Sequence, residues 1–361
     1  MHRKRKAHVP PRSRLVFGLA RRFGIMGFRL WCRPHIEFNP ELKKLAEGNA
    51  VFLYAALHKS LWETTGIQVA LTLSGMDVPW VGMGDNLVRG RFFQAIVERA
   101  GGFLIRRPRG RRDLIVSARQ LRDSVLSLLE TRRSVLVFPE GTRRGIPDHH
   151  CHGPFFPAVF AAVLEYARDL ADHGDSGKPA VFIVPVNVDY AKVREDREMI
   201  RRRNGPLTLH LLDSLKMIRH IGDVYVSFGA PMNVSELIHL DRRELAEQVR
   251  TACLELVKVL PVNVVAHGVL RAEREGSMES CRVHRGIRSV LVDLKPHAHR
   301  LRGMSLEDEP AELIRRVALF NPLFQKFTHS MLPVARLYAD YIAQFLPLAD
   351  GMEQKIEELK S

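Results

Sequence analysis

A histidine and a carboxylate, His58 and Glu63, lie five positions apart directly after an apolar run. The run, residues 51–57, has the length and the branched and aromatic content of a buried strand, and apolar residues recur at helical spacing after it. We therefore expect His58 to lie where a strand ends and a helix begins. A carboxylate within about one helical turn of an imidazole can fix its tautomer and stabilise the imidazolium, so the two residues are a candidate general-base pair.

The same stretch also has a purely structural interpretation. Ser60 and Glu63 have the spacing of a capping box, in which a hydroxyl and a carboxylate bind the first free N–H groups of a helix and no chemistry follows. Taken alone, this stretch favours the cap over the catalytic pair.

A second group carries side chains that suit a phosphate. Gly101 and Gly102 precede a short apolar run, and Arg106 and Arg107 follow it. Glycine allows close approach of the backbone, and guanidinium groups present fork-shaped donors that match phosphate oxygens. The alternative is a solvated arginine run after a turn, which is the better interpretation of this group alone.

A third group follows the apolar run of residues 135–137. The loop after this run brings together a carboxylate, a glycine N–H, a hydroxyl and a guanidinium: Glu140, Gly141, Thr142 and Arg143. Ligand sites of open α/β sheets lie where strands end, so these four are candidate substrate-binding residues.

The charge of the chain implies a partner of opposite sign. Its 361 residues include 55 basic and 40 acidic side chains, a formal net charge of +15, and 46% of the residues are hydrophobic, which argues against disorder. Nucleic acid, an anionic membrane surface and a phosphorylated substrate all fit this charge. The chain has no recognised nucleic-acid-binding motif and its arginines concentrate elsewhere, so we expect no nucleic-acid partner.

The cysteines and histidines do not predict a metal site. Four cysteines are widely spaced without a C-x-x-C pair, which argues against a disulfide framework and fits a reducing compartment. Residues 148–152 reproduce the short signature of protein palmitoyltransferases, but the chain lacks that family's cysteine-rich module and spanning helices. We therefore expect no metal and, since no apolar stretch reaches about 18 residues, no spanning helix.

The N-terminal segment, residues 1–44, is predicted to be a basic amphipathic, membrane-proximal segment. Residues 1–36 contain no Asp or Glu, and apolar residues alternate with arginines such as Arg21, Arg22 and Arg29, as in helices that lie in a membrane interface. A helix docked on the core and a transit peptide remain alternatives.

The pattern of residues 45–260 alternates short apolar runs with longer helical stretches and predicts an α/β domain. The predicted strands are residues 51–57, 78–83, 103–106, 135–138, 180–188, 208–212 and 224–228. The predicted helices are residues 61–73, 92–100, 113–131, 157–173 and 242–259. Pro185 would mark an edge or a bulge of its strand. Residues 261–361 are predicted to form a helical C-terminal extension, with helices at 287–294, 311–319 and 335–360.

In order and spacing, these blocks resemble the motifs of the glycerolipid acyltransferases, most closely the glycerol-3-phosphate and dihydroxyacetone-phosphate acyltransferase branch. That family carries H-x-x-x-x-D, G-x-x-F-I-R-R, F-P-E-G-x-R-S-R and V-P-V-x-x-x-Y. Here the motifs read His58 to Glu63, Gly101 to Arg107, Phe138 to Arg144 and Val184 to Tyr190. Two positions depart from the pattern. A glutamate replaces the aspartate of the first motif, and Arg144 and Gly145 follow Arg143 where the family has a serine and an arginine.

The resemblance implies a mixed central sheet flanked by helices and a role for each block. His58, held by Glu63, would take the proton of a glycerol 3-phosphate hydroxyl as its oxygen attacks an acyl thioester. The phosphate would be bound by Arg106, Arg107 and Arg143, and the acceptor site would be shaped by the loop that contains Glu140, Gly141 and Thr142.

The implied partners are an acyl thioester donor, either acyl-CoA or acyl-carrier-protein as co-substrate, a glycerol phosphate acceptor and an anionic membrane surface. No cofactor is expected, and the expected location is peripheral, on the cytoplasmic face of a membrane. Two alternatives stay open: an acyltransferase that converts lysophosphatidate to phosphatidate, and a catalytically silent membrane-binding relative.

Overall fold

The computed structural model of the chain describes residues 12–48, 50–85, 90–106, 111–141, 153–173, 177–201 and 220–346. The described residues up to 256, apart from 195–201, form one compact unit, here called the first unit. Residues 195–201 and 257–346 belong to a second unit. The domain boundaries predicted after residues 44 and 260 remain predictions.

Within the described residues, eight strands form one mixed sheet in the first unit. The strands are β1 (Arg33–Glu37), β2 (Val51–Ala56), β3 (Trp80–Gly84), β4 (Gly102–Ile105), β5 (Val135–Val137), β6 (Val181–Tyr190), β7 (Asp223–Phe228) and β8 (Met232–Asn233). Their order is β1-β7-β6-β2-β5-β3-β4, and β8 pairs with β6. The predicted fold class, a mixed α/β sheet flanked by helices, is confirmed.

The α-helices of the described residues, numbered in chain order, flank this sheet or form the second unit. They are α1 (Arg14–Trp31), α2 (Glu41–Glu47), α3 (Glu63–Leu73), α4 (Arg91–Arg99), α5 (Arg111–Glu130), α6 (Ala158–His173), α7 (Asp196–Arg201), α8 (Arg242–Glu255), α9 (Pro261–Arg274), α10 (Ser280–Asp293), α11 (Pro310–Phe320) and α12 (Leu332–Asp340). Short 3-10 turns lie at Val234–Leu237, Lys295–Arg300, Pro322–Gln325, His329–Met331 and Ala343–Phe345.

The directions of the strands bring two loops of candidate residues together. Strands β2 to β6 are mutually parallel, whereas β7 runs antiparallel to β6. β2 lies between β5 and β6, and each of its six residues is buried. Because parallel strands end at the same edge of a sheet, the loops after β2 and β5 emerge side by side.

Pro185 lies inside β6 rather than at an edge of the sheet. On one side of β6, β8 pairs with Phe182 and Ile183, and β7 pairs with residues 186–190. Pro185 falls between these two pairings, where its carbonyl accepts the N–H of Gly229 at 2.9 Å. Because proline has no backbone N–H, it cannot donate a hydrogen bond in return.

The first unit includes α1, which packs against α3. The side chain of Phe28 is buried, and its ring lies 3.2 Å from where a Cβ on Gly66 would be. The glycine of α3 therefore makes room for the aromatic ring of α1.

The second unit is organised around α9, whose buried face is nearly continuous. A Cβ on Gly286 of α10 would lie 2.5 Å from the carbonyl oxygen of Gly268, so α9 and α10 are in backbone contact. The Nε2–H of His267 donates to the carbonyl of Ala339 at 2.7 Å. Burial lowers the pKa of His267 to about 4, which keeps this ring neutral at physiological pH.

Most of the predicted elements that fall on described residues are confirmed within a few residues. The sequence did not predict β1, α2, α7, α9 and β8. The predicted strand at 208–212 lies outside the described residues, and of the helix predicted at 335–360 the structure describes α12, which ends at Asp340.

Candidate functional site

The loop after β2 places His58 against the first residue of α3. Its Nδ1 lies 2.7 Å from Oε2 of Glu63. The His58 side chain is 16% exposed, whereas that of Glu63 is fully buried. A pair of one partly accessible imidazole and one enclosed carboxylate is the arrangement that general-base catalysis uses.

The Glu63 carboxylate also organises the backbone of this loop. Its Oε1 accepts the N–H of Lys59 at 2.5 Å and that of Ser60 at 2.9 Å. The helix cap predicted at Ser60 is wrong in detail, because the N-cap residue of α3 is Trp62 and the Ser60 hydroxyl accepts the Trp62 N–H. One carboxylate thus binds free N–H groups with one oxygen and the imidazole with the other.

Burial raises the pKa of Glu63 well above its usual range. The N–H of Lys59, the charge of Lys59 and the N–H of Ser60 act in the opposite direction, and the nearby charge of Glu140 raises the pKa further. A desolvated carboxylate attracts a proton more strongly than a hydrated one. Glu63 is therefore well suited to stabilise an imidazolium at His58.

Aromatic contacts fix Trp62, the residue of this loop directly before Glu63. Trp62 packs edge to face on Trp31, the last residue of α1, with ring centroids 5.1 Å apart. The guanidinium of Arg194 lies over both indoles, at 4.6 Å from Trp31 and 4.9 Å from Trp62. Stacking of this kind stabilises the loop with directional contacts.

The loop after β5, which contains the third block, contacts His58 through Phe138. The ring of this residue, just past the end of β5, stacks on the imidazole of His58 with centroids 4.3 Å apart. Glu140 is buried in the turn that follows, and Gly141 has φ +70° with the Phe156 ring 2.8 Å from where a Cβ would be. Both the conformation and the space at position 141 therefore require glycine.

Two of the four predicted residues of this loop, Thr142 and Arg143, lie outside the described residues. Glu140 is near enough to Glu63 for its charge to raise the pKa of that carboxyl, and the N–H of Gly141 donates to the carbonyl of Phe138 at 3.0 Å in the same turn. The roles of all four residues remain predictions.

The second block lies at the edge of the sheet. Arg106 follows β4, which is three strands away from β2, or about 14 Å at the usual strand spacing. Its side chain is 53% exposed, and its guanidinium lies 3.8 Å from the carboxylate of Asp113 in α5. Arg107 lies outside the described residues. Arg106 is thus an exposed cation at the same edge of the sheet as His58, three strands away from it.

The fourth block contributes two residues that the sequence analysis did not single out. Asn187 and Asp189 of β6 are buried and hold the ammonium group of Lys59. Two polar residues at alternate positions of an otherwise apolar strand are the signal that predicts a polar cluster on one face.

Within the ranges that the structure describes, no cluster of three or more His, Cys, Asp or Glu side chains could bind a metal. The run at 148–152 lies outside those ranges. Among the same described residues, every helix is too short or too polar to cross a bilayer.

Residues 37–189 match the Acyltransferase family. The chain is 25% identical over 218 residues to a glycerol-3-phosphate acyltransferase of Colwellia psychrerythraea, covering 58% of this chain and 25% of that protein. It is also 25% identical over 200 residues to a glycerol-3-phosphate acyltransferase of Baumannia cicadellinicola, covering 53% of this chain and 23% of that protein. The matched region thus spans about a quarter of the length of these relatives.

Among solved structures, the chain is similar to the 1-acyl-sn-glycerophosphate (LPA) acyltransferase PlsC from Thermotoga maritima. The TM-score is 0.39 and the sequence identity 17%, over 66% of this chain and 79% of the other. The motif blocks of the sequence, the family match and the two relatives agree with one another. Residues 37–189 thus match an acyltransferase domain, and both of these relatives are glycerol-3-phosphate acyltransferases.

Proposed function

We propose that the protein transfers a fatty acyl group from an acyl thioester to a hydroxyl of glycerol 3-phosphate. The observation that carries the proposal is the 2.7 Å contact between Nδ1 of His58 and the buried carboxylate of Glu63. This contact fixes the tautomer in which Nδ1 carries the proton, so Nε2 is the basic nitrogen.

The reaction then needs no covalent intermediate on the protein. Nε2 of His58 takes the proton of the acceptor hydroxyl while its oxygen attacks the thioester carbonyl. The carbon–sulfur bond breaks, and the leaving thiolate takes the proton back from the imidazolium. Glu63 stabilises the imidazolium between these two proton transfers.

The acceptor's phosphate would be bound by arginines of the second and third blocks. Arg106 is exposed, and its 3.8 Å approach to Asp113 is too long for a hydrogen bond, so the guanidinium can turn toward an anion. Arg107 and Arg143 are assigned to the same phosphate by the family's motifs, and Glu140, Gly141 and Thr142 are assigned to the acceptor site on the same basis.

The proposed location of the reaction is the surface of an anionic membrane. Five large apolar side chains of α1 are between 48% and 73% exposed and recur every three or four residues, so they form one stripe: Leu15, Leu19, Phe23, Met26 and Leu30. Exposed arginines occur on the same helix at positions 14, 21, 22 and 29. An apolar stripe accompanied by cations fits the interface of a bilayer that contains anionic lipid, and the cytoplasmic face carries such lipid.

A donor and acceptor screen tests the proposal. Purified protein is incubated with one labelled acyl chain, presented as acyl-CoA or as acyl-carrier-protein, and with glycerol 3-phosphate, dihydroxyacetone phosphate or lysophosphatidate. We expect the labelled product from glycerol 3-phosphate, with undiminished activity in a metal chelator. Preferential acylation of lysophosphatidate would instead assign the later step, and vesicle binding without transfer to any acceptor would identify a silent relative.

A further inference from the structure

A buried lysine lies directly beside the histidine of the site. Lys59 is only 2% exposed, which is rare for a lysine and requires compensation of its charge. Its Nζ lies 2.5 Å from Oδ1 of Asp189 and donates to Oδ1 of Asn187 at 2.9 Å. Asn187 in turn donates to the second carboxylate oxygen of Asp189 at 2.6 Å. Three side chains thus form one enclosed polar network.

The sheet explains why this network forms here. β2 ends at Ala56, which pairs with Val186, whereas β6 continues to Tyr190. Asn187 and Asp189 are two positions apart and share one face of this extension. The loop after β2 runs beside the extension, and the Lys59 side chain binds that face.

The same lysine supports the catalytic pair through its backbone. Its N–H donates to Oε1 of Glu63 at 2.5 Å, while the other oxygen of that carboxylate contacts His58. The side chain of Lys59 is therefore anchored to β6, and its main chain holds Glu63. Movement of this residue would displace the carboxylate from the imidazole.

We propose that Lys59 is a positioning residue, which holds Glu63 against His58 from its anchor on β6. The inference rests on the proposed acyl transfer and adds a residue that acts on the reaction without touching the substrate. Its partners on β6 are Asn187 and Asp189.

The test separates positioning from stability by means of paired substitutions. Lys59→Met removes the ammonium group that contacts the buried Asp189 carboxylate, so we expect it to lower both kcat and the melting temperature. Lys59→Met combined with Asp189→Asn removes both charges, so we expect the melting temperature to recover. In this double variant kcat should remain about 10- to 100-fold below wild type, with KM for both substrates nearly unchanged, because the carboxylate is no longer held in place.

Two further variants complete the series. Lys59→Arg keeps the charge and should retain more of kcat than either methionine variant. Lys43→Met removes an exposed lysine of α2 and should change neither kcat nor the melting temperature. A double variant with wild-type kcat, or one whose loss appears in KM alone, would overturn the proposal.

A readout without turnover distinguishes this proposal from the proposed function. In protein with ¹⁵N-labelled histidine, NMR should show a protonated, hydrogen-bonded Nδ1 at His58, assigned by its absence from His58→Asn. The double variant should lose or broaden this signal. If wild type transfers no acyl group, the proposed function fails, whereas an unchanged Nδ1 signal in the double variant rejects positioning by Lys59.

Discussion

Replacement of Glu63 by glutamine separates the proposed catalytic role of this side chain from its structural role. In the wild type, Oε1 of Glu63 accepts the N–H groups of Lys59 and Ser60, and the amide oxygen of a glutamine can accept both in its place. The amide nitrogen then takes the place of Oε2 and donates to Nδ1 of His58. This donation favours the opposite tautomer, with the proton on Nε2, and an Nε2–H cannot serve as the base.

The expected loss follows from the change of tautomer. Where a carboxylate-to-amide exchange leaves the geometry intact but reverses the tautomer of a catalytic histidine, kcat falls by about 10⁴. We expect Glu63→Gln to lower kcat by about 10³ to 10⁴, equivalent to roughly 4 to 5.5 kcal/mol of transition-state stabilisation.

The thermal stability of the Glu63→Gln variant should not fall along with its kcat. Because burial raises the pKa of Glu63, the folded chain binds the carboxyl proton more tightly than the unfolded chain does. The ionised carboxylate therefore destabilises the fold increasingly as the pH rises above about 4.5, the group's ordinary pKa. A neutral glutamine avoids this cost, so Glu63→Gln should melt no lower than wild type at neutral pH.

The assay is steady-state acyl transfer to glycerol 3-phosphate, combined with thermal unfolding of the same samples. Glu63→Asp is the matched control: it keeps the charge but is about one methylene too short to span the 2.7 Å contact with His58 without movement. We expect an intermediate loss of about 10- to 100-fold. If Glu63→Gln keeps near-wild-type kcat, Glu63 is only a structural acceptor of N–H groups, and the reasoning fails.

Two more predictions concern other parts of the chain. His267→Gln keeps an N–H donor but does not titrate, so it should reduce the acid destabilisation of the chain. Since the folded pKa of His267 is about 4 against an ordinary 6.5, wild type should lose up to about 3 kcal/mol as the pH falls through that interval. If the melting temperatures of wild type and His267→Gln fell in parallel as the pH is lowered, this prediction would be contradicted. The double substitution Leu19→Ser and Phe23→Ser in α1 should weaken partitioning of the protein into anionic vesicles by about 100-fold. The control, Val292→Ser with Leu319→Ser, changes two similarly exposed apolar residues on other helices and should leave partitioning unchanged. An equal loss in both double variants would show that α1 is not the membrane-binding surface.

The sequence predicted the framework of the first unit because that framework depends on periodic apolar runs. β2 and β5 are fully buried and their runs carry no polar residue, so strands were predicted where strands occur. β1 was not predicted because its sequence, Arg33–Glu37, is mostly polar and its pairing with β7 comes from a segment about 190 residues away. The sequence therefore reports burial well and long-range pairing poorly.

The sequence predicted the candidate residues of the site but not the contacts that these residues make. The spacing of His58 and Glu63 allowed a cap or a catalytic pair, and only the folded structure shows that one carboxylate contacts both the backbone N–H groups and the imidazole. The charge of Lys59 has its partner 130 residues away, at a distance that no local pattern encodes. Such contacts follow from the strand order, which places β6 beside β2.

The most direct test of the central claim is the rate of acyl transfer by His58→Asn. The amide nitrogen of an asparagine can take the position of Nδ1 and donate to Glu63, but the side chain has no counterpart of the basic Nε2. The account predicts a folded protein that binds acyl thioester and glycerol 3-phosphate normally while kcat falls by about 10² to 10⁴, the usual contribution of a general base. A folded His58→Asn variant that transfers the acyl group within a few-fold of the wild-type rate would show that His58 is not the base.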